Sequence, residues 1–129
     1  MTVADLRERV ATDFWLEGFQ DFLALESGHS SNTVEAYVRD LRRLGEFAAS
    51  KGVRDPARVS RTLLREFVYQ LKDLGLSAAT IRRAISSVHT YYRFLTGEGR
   101  VTEDPIERLA APRRGRDLPD KRRVAEVEK

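Results

Sequence analysis

A chain of 129 residues with 41% hydrophobic and 33% charged residues is long enough for one domain with a real core and too short for two comfortable ones. It has no cysteine, which excludes disulfides and thiolate metal sites and agrees with a reducing cytoplasm. No apolar run approaches the ~18 residues of a membrane span, and the N-terminus lacks the apolar core of a signal peptide.

The net charge of +3 is unevenly spread. Residues 1–27 hold six acids (Asp5, Glu8, Asp13, Glu17, Asp21, Glu26) and two bases (Arg7, Arg9), a net of −4, so residues 28–129 carry +7. An acidic end on a basic body suggests one surface for an anionic polymer and another turned away from it.

Residues 1–11 have few apolar anchors and are expected to be a frayed leader. Thr12 or Asp13 can cap a first helix over about 13–27, with Trp15, Phe19, Phe22 and Leu23 as its buried stripe. Phe14 and Leu25 flank that stripe and look surplus; one of them staying exposed would meet a partner, while the plainer alternative puts both at the core margin.

Gly28 ends this helix, and Ser30, Ser31 and Asn32 form a turn. A second helix follows from about Thr33 to Ser50, its inner face lined by Val34, Tyr37, Leu41, Leu44 and Ala48. Arg39, Arg42 and Arg43 point elsewhere, beside Glu35, Asp40 and Glu46. The unpaired N–H groups at its start, next to Ser31, Asn32 and Thr33, can either hold a phosphate or simply be capped.

Gly52 closes the second helix, and Asp55-Pro56 opens a turn. Ser60 caps a third helix to about Leu74, with Leu63, Leu64, Phe67, Leu71 and Leu74 as core. Gly75 and a two-residue turn then lead to Ser77, the cap of a fourth helix to Leu95. So short a link makes the third and fourth helices close neighbours.

The fourth helix differs from the others. Ile81, Ile85, Val88, Tyr92 and Leu95 make its apolar stripe. Arg82, Ser86, His89 and Arg93 form a second row, and Thr80, Arg83, Ser87 and Thr90 a third. No acid lies between Ser77 and Thr96. A solvated helix normally mixes both signs of charge. Cations and hydroxyls alone suit a helix lying in a DNA groove, contacting phosphates and base edges; the alternative is a basic surface helix with no ligand.

Thr96-Gly97-Glu98-Gly99 is a stop, and Asp104-Pro105 caps a short fifth helix over about 105–110 with Ile106 and Leu109 inward. Residues 112–123, with six bases and two acids, form a linker, and 124–129 begin a further helix. No strand signal survives. The fold class is therefore all-α: a compact bundle of four main helices plus a short fifth, in a domain spanning 12–111. No catalytic constellation, metal set or cofactor motif is evident: His29 and His89 stand apart, and none of the four tyrosines is placed as a nucleophile.

The spacing of Ser30, Asn32, Thr33, Tyr37, Asp40 and Leu41 resembles the second helix of the N-terminal domain of tyrosine recombinases. Ser77 to Thr80, Arg82 to His89 and Tyr91 to Leu95 resemble its fourth helix, and Asp104-Pro105 stands where that family commonly has Asn-Pro. Leu118-Pro119 and Val124 to Glu128 look like the linker and opening helix of the catalytic domain. The likeness covers about residues 14–129 and is closest to the Xer and phage-integrase branch.

The resemblance implies a SAM-like core-binding domain forming one half of a clamp on double-stranded DNA, with its second and fourth helices towards the major groove. It carries a DNA-contacting role onto Thr33, Tyr37 and Arg39, and onto Thr80, Arg83, Ser87 and His89. With the residues picked out by position, the candidate interface comprises Ser31, Asn32, Thr33, Tyr37, Arg39, Arg43, Ser77, Thr80, Arg82, Arg83, Ser86, Ser87, His89 and Thr90. The resemblance further implies contacts with other recombinase protomers and with a C-terminal catalytic domain, and a cytoplasmic, nucleoid-associated location on DNA. Strand exchange through a tyrosine–DNA phosphodiester belongs to that catalytic domain, so this chain is expected to bind DNA and cut nothing. The alternatives are an all-α protein-interaction module with an incidental basic helix and, behind it, a small enzyme.

Overall fold

A computed structural model of the chain describes residues 2–26, 28–102 and 104–105. These hold five α-helices and no strand: α1 (Val3–Asp13), α2 (Leu16–Glu26), α3 (Ser31–Ser50), α4 (Arg61–Asp73) and α5 (Ala78–Gly97), with a single 3-10 turn at Pro56–Arg58. The all-α class is as expected. Beyond Pro105, the fifth helix anticipated at 105–110, the linker at 112–123 and the helix start at 124–129 lie outside the described residues.

The first difference from expectation is α1, which occupies the supposed leader. Thr2 and Asp5 form a reciprocal cap: the Thr2 hydroxyl accepts the Asp5 N–H at 3.1 Å and the Asp5 carboxylate accepts the Thr2 N–H at 3.3 Å. Leu6 and Val10, one turn apart, then give the helix an apolar edge; Val10 is buried and Leu6 partly so. Val10 lands on Gly45 in the middle of α3. A Cβ at Gly45 would collide with the Val10 side chain, so the glycine is what lets the two helices approach.

Trp15 turns the corner between α1 and α2 with φ +57°, a left-handed value unusual for a bulky residue. This corner reverses two expectations. Phe14, expected at the margin, is 1% exposed, whereas Trp15 is only partly buried. Trp15 stacks on Phe94 and carries the Arg100 guanidinium over its face, so it shields the core rather than entering it. Leu25 does remain outside, at 84% exposure.

The two 20-residue helices, α3 and α5, each about 30 Å long, are the axis of the domain. α3 packs on α1, α2 and α5, and α4 closes the remaining side. The caps at Ser60 and Ser77 fall as expected, and Ser30 caps α3. The core of α4 is Leu63, Leu64, Phe67 and Leu71; Leu74, expected to join it, lies past the helix end and is exposed.

The buried face of α5 is wider than one stripe. Ala84, Ser87, Tyr91 and Phe94 are buried beside Ile81, Val88, Tyr92 and Leu95, while Ile85 is only partly so. Tyr91 packs edge-on against Phe19 at 5.2 Å, and Phe94 meets Phe22 at 5.1 Å. The two tyrosine hydroxyls reach different corners: Tyr91 donates to the Phe14 carbonyl at 2.6 Å and Tyr92 to the Pro56 carbonyl at 2.7 Å. Burial raises both phenols well above the ordinary tyrosine range, so they act as fixed donors.

Candidate nucleic-acid interface

The three rows read along α5 have different fates. Arg82, Ser86, His89 and Arg93 are exposed and form a continuous outward stripe over three turns of helix. α5 itself contributes no carboxylate to it; among the described residues, Asp104 reaches it at His89. The other polar row, Thr80, Arg83, Ser87 and Thr90, is less exposed. Thr80, Arg83 and Thr90 are half-buried and Ser87 is fully buried, and Arg83 and Ser87 meet α3 at Asp40, in the seam between the two helices. Ser87 is thus a packing and hydrogen-bonding residue, not a surface hydroxyl. Any direct contact it makes with a ligand is sterically closed in this arrangement.

At the seam stands a group that periodicity placed on the surface. Asp40 of α3 is 1% exposed. The Arg83 Nε donates to its Oδ2 at 3.0 Å and Nη2 donates to its Oδ1 at 2.7 Å, a two-pronged ion pair across 43 residues of sequence. The Ser87 hydroxyl lies 2.7 Å from Asp40 Oδ2 and 3.0 Å from the Arg83 carbonyl oxygen. It has one proton, and the shorter, charge-assisted contact to the carboxylate takes it. The hydrogen bond with Asp40 raises the Arg83 pKa further above its ordinary value, against the opposing effect of burial. A carboxylate buried in this way needs such a set of donors.

The sequence held a clue to this network. Asp40 interrupts an otherwise apolar arc of α3 between Tyr37, Leu41 and Leu44, and α5 brings no acid of its own to neutralise a half-buried arginine.

Around the seam the helix starts are built alike. Ser30 caps α3 and Ser77 caps α5, each accepting the N–H three residues on, at 3.2 Å and 3.1 Å. Each serine also donates its hydroxyl to the threonine at that position, Thr33 or Thr80, both at 3.0 Å. The serine protons are therefore committed, and the threonine protons are the ones left to donate. Ser31 and Asn32 are exposed in the first turn of α3. Capping and an open first turn thus coexist, so the two alternatives for this helix start do not exclude each other.

The α3 arginines separate. Arg39 is exposed and, with Arg42, borders a cleft of about 270 Å3 whose lining includes Gln20 of α2 and Glu35. Arg43 lies one turn beyond Asp40 and is half-buried. Tyr37 is partly buried, close enough to Arg83 to influence its charge and in ring contact with His29 at 5.6 Å. His89 is half-exposed, and its Nδ1 sits 3.1 Å from Asp104 Oδ2. With a proton on Nδ1 the ring donates to that carboxylate.

The acidic end lies elsewhere. Asp5, Glu8 and Asp13 of α1 line an open cleft of about 740 Å3 together with Arg9, Thr12 and Arg54, and Arg54 reaches Asp13 at 3.5 Å. Among the described residues no group of three or more His, Cys, Asp or Glu side chains could hold a metal ion, and no helix is long and apolar enough to cross a membrane.

The arrangement is thus a basic, hydroxyl-bearing stripe on α5, flanked by two capped helix starts and backed by a buried acid. Residues 16–99 match the family model described as phage integrase, N-terminal SAM-like domain. The chain is 37% identical over 109 residues to tyrosine recombinase XerD of Oceanobacillus iheyensis, covering 84% of this chain and 37% of that protein. It is 36% identical to XerD of Caulobacter vibrioides (89% of this chain, 37% of that protein). With tyrosine recombinase XerC of Roseiflexus sp. the identity is 34% (81% and 33%). The chain therefore spans little more than a third of the length of these curated relatives. No solved structure matches it. With the match running from the start of α2 to the end of α5, the chain belongs to the phage integrase N-terminal SAM-like domain family.

Proposed function

We propose that this domain is the DNA-binding, core-binding part of a site-specific tyrosine recombinase, gripping a half-site of recombination DNA and supporting contacts between protomers in the synapse. The observation that carries the reading is the outward stripe of α5: Arg82, Ser86, His89 and Arg93, with no carboxylate among them. Arg82 and Arg93 stand exposed with no acid contributed by α5, and among the described residues the carboxylate that reaches the stripe is Asp104, at His89. Exposed cations repel one another, and bringing them together is favourable against a polyanion.

In this reading Arg82, Arg93 and the exposed Arg39 hold phosphates. Asn32, Thr33, Thr80 and the N–H groups of the two helix starts position the strand. The acidic α1–α2 end and the exposed Leu25 face neighbouring protomers. Residues 112–123 serve as the linker to a catalytic domain opening at 124–129, where the tyrosine chemistry would reside. The chain alone binds duplexes and leaves supercoiled plasmid unrelaxed.

Titrating short duplexes with the 129-residue chain at several salt concentrations tests the reading. Neutralising Z phosphates gives log K a slope near −0.9Z against log salt, so a few contacts produce a steep loss of affinity. Absence of salt-sensitive binding at micromolar protein sinks it and leaves a protein-interaction module, for which Leu25 is then the first candidate contact.

A further inference from the structure

Resting on the DNA-binding reading above, we propose that Arg83 is a guanine reader whose direction is set by Asp40 and Ser87, and that it is not a phosphate anchor. The inference begins with which edge of the guanidinium is occupied. Asp40 takes Nε and Nη2, the side edge of the group. That leaves the distal edge, where Nη1 and Nη2 each keep one N–H, parallel and pointing along the side chain. This pair matches the O6 and N7 acceptors that guanine presents in the major groove.

Burial supports the same assignment. The side edge is sealed by a carboxylate only 1% exposed, while the Arg83 side chain as a whole is 35% exposed. The buried carboxylate closes the side edge, so a ligand that approaches the guanidinium meets its distal edge. Asp40 lies behind it, shielded from a ligand that it would otherwise repel.

Charge separates the two possible targets. A phosphate is drawn chiefly by net positive charge, and the Asp40–Arg83 pair has none. A base edge is recognised by donors in fixed directions, and the pair keeps those. Arg82 and Arg93, one position before and ten after Arg83, are exposed and supply the charge instead. Asp40 and Ser87 are positioning residues: the carboxylate fixes the plane of the guanidinium, and the Ser87 hydroxyl fixes the carboxylate.

The test uses the 129-residue chain and a pool of duplexes with a randomised segment, selected by binding and sequenced. The best duplex is then measured with each guanine replaced in turn by deazaguanine, which lacks N7. The wild-type chain is expected to lose about tenfold in affinity at one guanine. Arg83→Lys should remove that dependence, because an ammonium cannot span both acceptors. Asp40→Asn should also abolish it, while strengthening binding to unselected duplex and steepening the salt slope, since Arg83 then carries a net charge. A purely structural role for Asp40 predicts weaker binding to every duplex alike.

Guanine dependence that survives in both variants overturns the proposal, as does a wild-type chain that binds with a steep salt slope but no guanine dependence. If Asp40→Asn fails to fold by circular dichroism, Ser87→Ala carries the test. It keeps the ion pair and should weaken recognition at the same guanine only, and an unchanged preference overturns the positioning claim. Absence of salt-sensitive binding by the wild-type chain would instead remove the DNA-binding reading itself.

Discussion

The Tyr91 hydroxyl sits 2.6 Å from the Phe14 carbonyl, joining the middle of α5 to the corner between α1 and α2 across 77 residues. Removing it in Tyr91→Phe leaves a buried carbonyl without that donor, at an expected cost of about 1 to 2 kcal/mol in urea unfolding. Tyr92→Phe should act similarly through Pro56. A loss below experimental error for both would mean the contacts are incidental.

The same two phenols make stability fall at alkaline pH. Burial raises both above the ordinary tyrosine value, so the folded state keeps protons that the unfolded chain releases. Their contribution is complete below a pH of about 10 and is lost as pH rises above it, by about 1.4 kcal/mol per pH unit for each group. Tyrosinate absorbance from Tyr91 and Tyr92 should therefore appear together with loss of helical signal. Ionisation of both ahead of unfolding contradicts this.

Gly45→Ala should destabilise the domain by about 1 to 3 kcal/mol even though alanine favours helix, because the added methyl collides with Val10. Val10→Ala makes room, so the double variant should be less destabilised than the two single losses combined. Simple additivity in a double-mutant cycle would show that α1 does not press on α3 at this point.

On the DNA-binding reading, Arg82→Ala and Arg93→Ala should each flatten the salt slope by about one and weaken binding to all duplexes alike. Lys72→Ala, on α4 with its ammonium over the Tyr69 ring, should change neither. Equal effects at the three positions would deny α5 its special place.

Leu25→Asp should leave folding stability within about 0.5 kcal/mol, since the side chain is 84% exposed. It should reduce cooperative loading of a second protomer on a duplex with two half-sites. Unchanged cooperativity would move the protomer contact away from α2.

Most of the architecture was legible because local chemistry and burial agreed. Ser60 and Ser77 cap where the apolar stripes of α4 and α5 begin, and Leu63, Leu64, Phe67 and Leu71 face inward on spacing alone. The failures lie where a long-range partner decides. α1 is weakly amphipathic by itself, and its burial depends on a glycine 35 positions after Val10. Trp15 and Phe14 exchange places because a left-handed corner interrupts the helical phase.

The candidate interface divides in the same way. The outward row of α5 follows from helical period. The inward row does not reveal its partner, because Asp40 sits on another helix, 43 residues from Arg83, and only its place beside Leu41 and Leu44 sets it apart from the acids around Arg39 and Arg43.

Just beyond α5, the Arg100 guanidinium lies 3.1 Å above the centre of the Trp15 ring. The path leaving the last long helix is thereby stapled to the corner where the first two meet. Because Trp15 in turn stacks on Phe94, this contact links the exit from α5 back to the same helix through the corner, closing a small ring of aromatic and cationic groups.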